Sequence, residues 1–255
     1  MIQRIQRGRS DRLGAAAAAR ERTFDDDSHL DMDVCFQTVP NTVAFHGILE
    51  TEPHVTVIDG FLAPLECSEL IAKASLQRRS GVSNDLGTGS ESKGRSSSTA
   101  LRTPGLVRAL APLRQRLTEL LGVPEARLEG SMVLCYEVGG AYRWHFDAFN
   151  LSSVRGASNT AARHGGQRLL TSIAYLNDVP EGGETAFFHA RRAIAPKAGR
   201  LLVFRNAVPR TAPDGRTRFE VDRRSLHAGL PVRAGTKWIV TTFVRERPRG
   251  MEEEP

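Results

Sequence analysis

The sequence predicts a mainly β domain with flanking helices, and three observations carry that expectation. Both helix-like apolar periodicities lie before Arg127, whereas short apolar runs between turn residues fill the chain after it. No internal repeat divides the chain. Helices first and many short strands afterwards point to a curled antiparallel sheet with the helices packed outside it. At 255 residues the chain can bury one sizeable core. One domain over 41–250 is therefore expected, between a disordered N-terminal tail, 1–40, and an acidic C-terminal tail, 251–255.

Taken in order, 1–40 carries mixed charge and no sustained apolar period, so it cannot bury enough surface to offset its ordering entropy. The alanine run at 15–19 is too short for a signal-peptide core or a membrane span. A strand is expected at 54–59, punctuated by Gly60. Pro64 suits a first helical turn, and Cys67, Leu70, Ile71 and Ala74 follow at helix spacing. The Gly- and Ser-rich stretch 80–98 reads as a long mobile loop, or as a ribbon supported by a ligand. Leu106, Leu110, Leu113, Leu117 and Leu121 form one apolar stripe, interrupted by Pro112 and stopped by Gly122 and Pro124. That is one kinked helix or two short ones. Strands are then expected at 132–138, 141–149, 168–176, 185–188, 200–205, 225–228 and 237–245, with a polar loop at 150–166.

Composition narrows the function classes. The net charge of +6 would suit an anionic partner, but the basic residues are scattered, usually with acids nearby, and aromatics are sparse. A dedicated nucleic-acid surface is disfavoured. Three cysteines, far apart and odd in number, make neither a disulfide framework nor a Cys-based zinc site. The expectation is a soluble chain with no membrane span, in a reducing, cytoplasmic compartment. Nothing in the sequence speaks to oligomeric state.

The chemistry concentrates at three places. In Tyr142-Arg143-Trp144-His145-Phe146-Asp147 an imidazole and a carboxylate stand two residues apart, which on a strand puts both on one face. A third candidate ligand, His227, stands in a later apolar run. Two nitrogens and one carboxylate oxygen on one face of an octahedron leave three adjacent positions open, enough for a bidentate 2-oxo acid and O2. Taken singly, the pair would also fit a solvated surface and His227 a hydrogen-bonded core position. Lys237 opens the apolar run Lys237-Trp238-Ile239-Val240, where an ammonium is desolvated at considerable cost unless an anion meets it. A lysine at a strand edge with its head in water is the plainer alternative.

From about His54 to Arg247 the sequence resembles the prolyl 4-hydroxylase family of 2-oxoglutarate and Fe(II)-dependent dioxygenases. The blocks that carry the likeness are Phe61-Leu62 with Cys67 to Ile71, Tyr136-Glu137-Val138-Gly139 leading to Tyr142 and His145, and Gly166-Gln167-Arg168 with Thr171. Tyr175-Leu176-Asn177-Asp178-Val179 and Gly182-Gly183-Glu184-Thr185 extend it. The closing pattern is the most telling: Ser225-Leu226-His227-Ala228-Gly229, then Pro231-Val232 and Gly235-Thr236-Lys237-Trp238.

The resemblance implies a double-stranded β-helix, or jelly-roll, barrel with the site in its mouth. It implies Fe(II) on His145, Asp147 and His227, and the far carboxylate of 2-oxoglutarate on Lys237, Thr171 and Tyr136. Tyr142 and Arg168 match positions that face peptide substrate in relatives, Trp238 lies close by, and Arg95 belongs to a segment, 84–98, that folds over substrate. The implied reaction consumes O2 and 2-oxoglutarate, releases succinate and CO2, and hydroxylates an unactivated C–H bond, with ascorbate as reductant. An intact Asp147 argues against the halide-transferring relatives, which need that position empty. Leu230 departs from the pattern, standing where many relatives carry Cys. The absence of a secretory signal, a retention tail and a separate peptide-binding domain favours a proline-containing peptide or protein other than collagen. Alternatives are a related dioxygenase acting on a free amino acid, a small metabolite or alkylated nucleic acid, and a non-catalytic β-barrel binding module.

Overall fold

A computed structural model of the chain describes residues 37–39, 55–74, 76–79, 81–83, 89–91, 94–151 and 164–248. The expected N-terminal tail apart from 37–39, the whole of 251–255 and the start of the expected domain, 41–54, lie outside the described residues, as do parts of 84–98 and of 150–166.

Two sheets face each other. The strands of the larger, seven-stranded sheet are β2 (Val55–Ile58), β3 (Leu76–Arg79), β4 (Ser98–Ala100), β5 (Met132–Tyr136), β7 (Arg168–Tyr175), β10 (Leu201–Arg205) and β12 (Lys237–Arg245). Their spatial order is β2-β10-β7-β12-β5-β4-β3. The smaller sheet holds β1 (Gln37–Val39), β6 (Tyr142–His145), β8 (Thr185–Phe187), β9 (Arg192–Ile194) and β11 (His227–Gly229), in the order β1-β9-β8-β11-β6. The chain is thus mainly β, and its two facing, largely antiparallel sheets make the jelly-roll expected from the resemblance. The backbone of β1 runs parallel to β9, so three residues placed in the tail by the sequence reading join a sheet.

Alternation along the strands sorts the core into layers. In β10, Leu202 and Phe204 enter the space between the sheets with Ile173, Tyr175, Phe187 and Ile239. Their neighbours Leu201 and Val203 face the other way, into a second core with Leu62, Leu70, Leu106 and Leu113. That outer core belongs to two helices, α1 (Pro64–Lys73) and α2 (Pro104–Leu121). The Thr103 hydroxyl caps α2 by accepting from the Leu106 amide at 3.2 Å, and Gly122 ends it with φ 63°.

Pro112 does not split α2, because it sits on the exposed face. There water can serve the backbone carbonyl that proline leaves without a donor. The hairpin of Ala207–Thr211 with Thr217–Val221 was not anticipated, since its burial pattern shows no buried apolar alternation beyond its first residue. In the stretch read as a loop or ribbon, the Gly81–Ser83 and Gly89–Glu91 backbones pair antiparallel. No described helix is long and apolar enough to cross a membrane.

Candidate metal centre and co-substrate cavity

The register between β11 and β6 sets His227 directly opposite His145. Cross-strand partners on one face lie within side-chain reach, and the two imidazole centroids are 4.2 Å apart. Asp147 reaches the same point by a route the sequence reading did not foresee. The strand expected over 141–149 ends at His145, and the chain bends. Gln167, fully buried, clamps that loop: its Oε1 accepts from the Phe149 amide at 2.6 Å and its Nε2 donates to the Phe149 carbonyl at 2.8 Å.

The result is one oxygen of Asp147 3.4 Å from His145 Nε2 and the other 3.4 Å from His227 Nε2. One ligand-type atom from each residue lies within 4.8 Å of the other two. Both histidines are held for coordination in the same way. His145 Nδ1 meets the Arg143 carbonyl at 2.7 Å, and His227 Nδ1 meets that of Ser225 at 2.9 Å. A carbonyl only accepts, so each Nδ1 carries a proton, and in the neutral ring each Nε2 then presents a lone pair to the Asp147 side.

Charge follows position. Burial pushes His227 down to about 4, which leaves a neutral imidazole at neutral pH. Burial alone would raise Asp147, but His227 and His145 beside it, with the Thr171 hydroxyl, hold it well below the usual carboxylate range. A neutral imidazole and an ionised carboxylate are the states in which such groups bind a divalent cation.

The donors open into a cavity of about 440 Å³, within the usual range for small-ligand sites. Lys237, the first residue of β12, projects into it and is 3% exposed. Among the described residues no carboxylate pairs with its ammonium. The Tyr136 and Tyr175 ring centroids lie 5.3 and 5.7 Å away. Burial pushes Lys237 down to about 8, with Glu184 pulling the other way. An unpaired buried cation beside a three-donor cluster is what a metal-chelating dicarboxylate requires, so these residues fit Fe(II) and 2-oxoglutarate.

The other anticipated residues divide. Tyr136 lines the cavity opposite Lys237 in the β5–β12 register. Tyr142 stacks on His145 at 3.6 Å, and the Arg95 guanidinium stands 4.9 Å from the Tyr142 centroid. Thr171 lines the cavity, but its hydroxyl donates to Asp147 Oδ2 at 2.7 Å. Arg168 also lines it, held by Glu129 through two bonds of 2.7 and 2.9 Å and lying 3.8 Å over the Phe243 ring.

Trp238 is a correction. Strand alternation that turns Lys237 inward turns its neighbour outward, and Trp238 packs against the helix-side core. Glu129, which lines the cavity, and Asn206, behind Thr171, were not singled out from the sequence. Neither lies in a periodic or motif context, and their partners are tens of residues away.

Comparison with known proteins bears on the family and the fold. The profile of the 2OG-Fe(II) oxygenase superfamily matches residues 131–245. Probable prolyl 4-hydroxylase 10 of Arabidopsis thaliana is 31% identical over 219 residues, covering 78% of this chain and 71% of the relative. Probable prolyl 4-hydroxylase 4 of the same plant is 32% identical over 221 residues, covering 77% and 68%. Among solved structures, the 2OG complex of the viral collagen prolyl hydroxylase from Paramecium Bursaria Chlorella virus-1 aligns with a TM-score of 0.55. Its identity is 28%, with 76% of this chain and 97% of that one covered.

Proposed function

We propose hydroxylation of proline in a peptide or protein as the activity of this chain, which belongs to the prolyl 4-hydroxylase family of 2-oxoglutarate and Fe(II)-dependent dioxygenases. It is a dioxygenase that uses Fe(II), 2-oxoglutarate and O2, with ascorbate as reductant. The prolyl substrate is supported by the relatives, named as prolyl 4-hydroxylases.

One observation carries the reading: His145, Asp147 and His227 converge in the cavity that also receives Lys237, whose ammonium pairs with no carboxylate among the described residues. In our assignment the triad holds the iron, which when bound activates O2 and supports the oxidative decarboxylation of 2-oxoglutarate. Each histidine offers Nε2 because its Nδ1 proton is committed to a carbonyl. Asp147 stays ionised and adds the anionic donor. Lys237 attracts the far carboxylate of the co-substrate, with Tyr136 beside it, and so fixes which end of the dicarboxylate faces the triad.

Ile173, Ile239 and Phe243 line the cavity as apolar wall, which excludes water and strengthens the ammonium–carboxylate attraction. Tyr142, Arg168 and Arg95 are assigned to the substrate side. We further propose that 84–98 closes over the substrate, Arg95 pairing its backbone with Tyr142. A cytoplasmic setting is supported by Cys67 and Cys135, buried free thiols, the latter pushed up to about 11 by burial.

The deciding experiment incubates the purified chain with Fe(II), ascorbate and 2-oxoglutarate against proline-rich peptides. Succinate release matched by the gain of one oxygen atom on proline is the expected result. Succinate release with no oxygen gained on any peptide is uncoupled turnover, which keeps the dioxygenase and removes the proline-peptide assignment, and no consumption of 2-oxoglutarate would favour a binding module.

A further inference from the structure

We infer that Asn206 is a positioning residue that ties two of the three metal donors to one buried post. The inference rests on reading His145, Asp147 and His227 as the metal site.

Asn206 directly follows β10 and is fully buried. Its own amide donates to the Leu169 carbonyl at 2.8 Å, which fastens it to β7. Two relays start from it. Through its side chain, Nδ2 donates to Thr171 Oγ1 at 2.8 Å, and that hydroxyl donates to Asp147 Oδ2 at 2.7 Å. Through its backbone, the Asn206 carbonyl accepts from the Asp222 amide at 2.9 Å, and the Asp222 carbonyl accepts from the Ser225 amide at 2.8 Å. The Ser225 carbonyl then accepts from His227 Nδ1 at 2.9 Å.

Proton counting makes the first relay directional. An ionised carboxylate only accepts, so the single Thr171 proton must go to Asp147. Thr171 must then receive a donor on its other side, and only the nitrogen end of the Asn206 amide can supply one. The relay occupies one lone pair of Oδ2 and so fixes the rotation of the carboxylate about its Cβ–Cγ bond. Groups that orient metal ligands in this way govern metal affinity without touching the metal. Thr171 accordingly acts through Asp147 rather than as an anchor for the co-substrate tail.

The test measures Mn(II) affinity in the absence of 2-oxoglutarate, by calorimetry, beside the melting temperature of each metal-free protein. Thr171→Val and Asn206→Ala should each weaken Mn(II) binding about 10- to 100-fold, and Thr171→Ser should restore it. The double variant Thr171→Val with Asn206→Leu removes both partners of the Asn206–Thr171 bond, so the amide is not left unsatisfied against the valine. It should melt no lower than Thr171→Val alone yet still bind Mn(II) weakly.

Unchanged Mn(II) affinity in Thr171→Val or in Asn206→Ala, or recovered affinity in the double variant, overturns the inference. So does a Thr171→Val loss seen only in 2-oxoglutarate affinity. If Asp147→Ala binds Mn(II) as well as the unmodified chain does, the metal-site reading itself fails instead.

Discussion

Lys237 and Glu129 line the same cavity and stand in opposite electrostatic situations. Glu129 meets Arg168 at 2.7 Å and Arg245 at 2.9 Å. Burial would raise its carboxyl, but those two guanidiniums outweigh that effect and hold it below the usual range. Lys237 is more buried than Glu129, has the Tyr136 and Tyr175 rings beside its ammonium, and pairs with no carboxylate among the described residues. A cation–π contact contributes about 0.5–2 kcal/mol, against a desolvation cost of several kcal/mol per buried ion. The carboxylate is already satisfied and serves the scaffold. The lysine is kept in an unfavourable state that an incoming anion relieves, and that marks it as a binding group.

The strongest way to break this contrast is to remove the centre it serves. His145→Ala or Asp147→Ala is expected to reduce both hydroxylation and uncoupled succinate formation to background, read as succinate release. Stripping metal with a chelator should do the same to the unmodified chain. Substantial turnover in either variant would dissolve the triad assignment.

Next in size, Lys237→Ala leaves a carboxylate unpaired in a dry pocket, a loss of about 3–5 kcal/mol. Calorimetry should show 2-oxoglutarate affinity lower by about two to three orders of magnitude. An unchanged dissociation constant would mean that the anchor lies elsewhere.

Glu129→Gln tests the other side of the contrast. Arg168 and Arg245 lose their shared anion, and because the site borders the cavity the cost is set below that of a fully buried pair, about 2 kcal/mol. Denaturant unfolding should register that loss while 2-oxoglutarate affinity stays as it was. A fall in co-substrate affinity comparable to that of Lys237→Ala would erase the distinction between the two regions.

The smallest effect is one of pH. The ammonium is the form that holds a carboxylate, and burial brings Lys237 down to about 8. Affinity for 2-oxoglutarate should be level below that pH and fall about tenfold per unit above it. Lys237→Ala should lack this alkaline limb, and its persistence would assign the titration to another group.

Legibility followed the range of the interaction. Pro64 and Gly122 mark helix ends through local backbone chemistry, and the helices stand where the chain predicts them. The spacing of His145 and Asp147 was readable, but for a reason only partly correct. The residues share a site because the chain leaves the strand after His145 and Gln167 clamps the bend, not because a strand runs on to 149. Trp238 could have been placed correctly, since the alternation that turns Lys237 inward turns it outward. Glu129 and Asn206 could not, for their roles exist only in partners 39 and 35 residues away.

Residue identity and short-range period therefore settle which groups are available: two imidazoles, a carboxylate, a lysine in an apolar strand, and strands that alternate. Tertiary structure alone decides that His227 pairs across from His145, that Lys237 forms no ion pair among the described residues, and that Arg168 forms one. Local propensities act over a few residues, whereas strand register and buried charge pairing depend on segments that meet only when the two sheets close on each other.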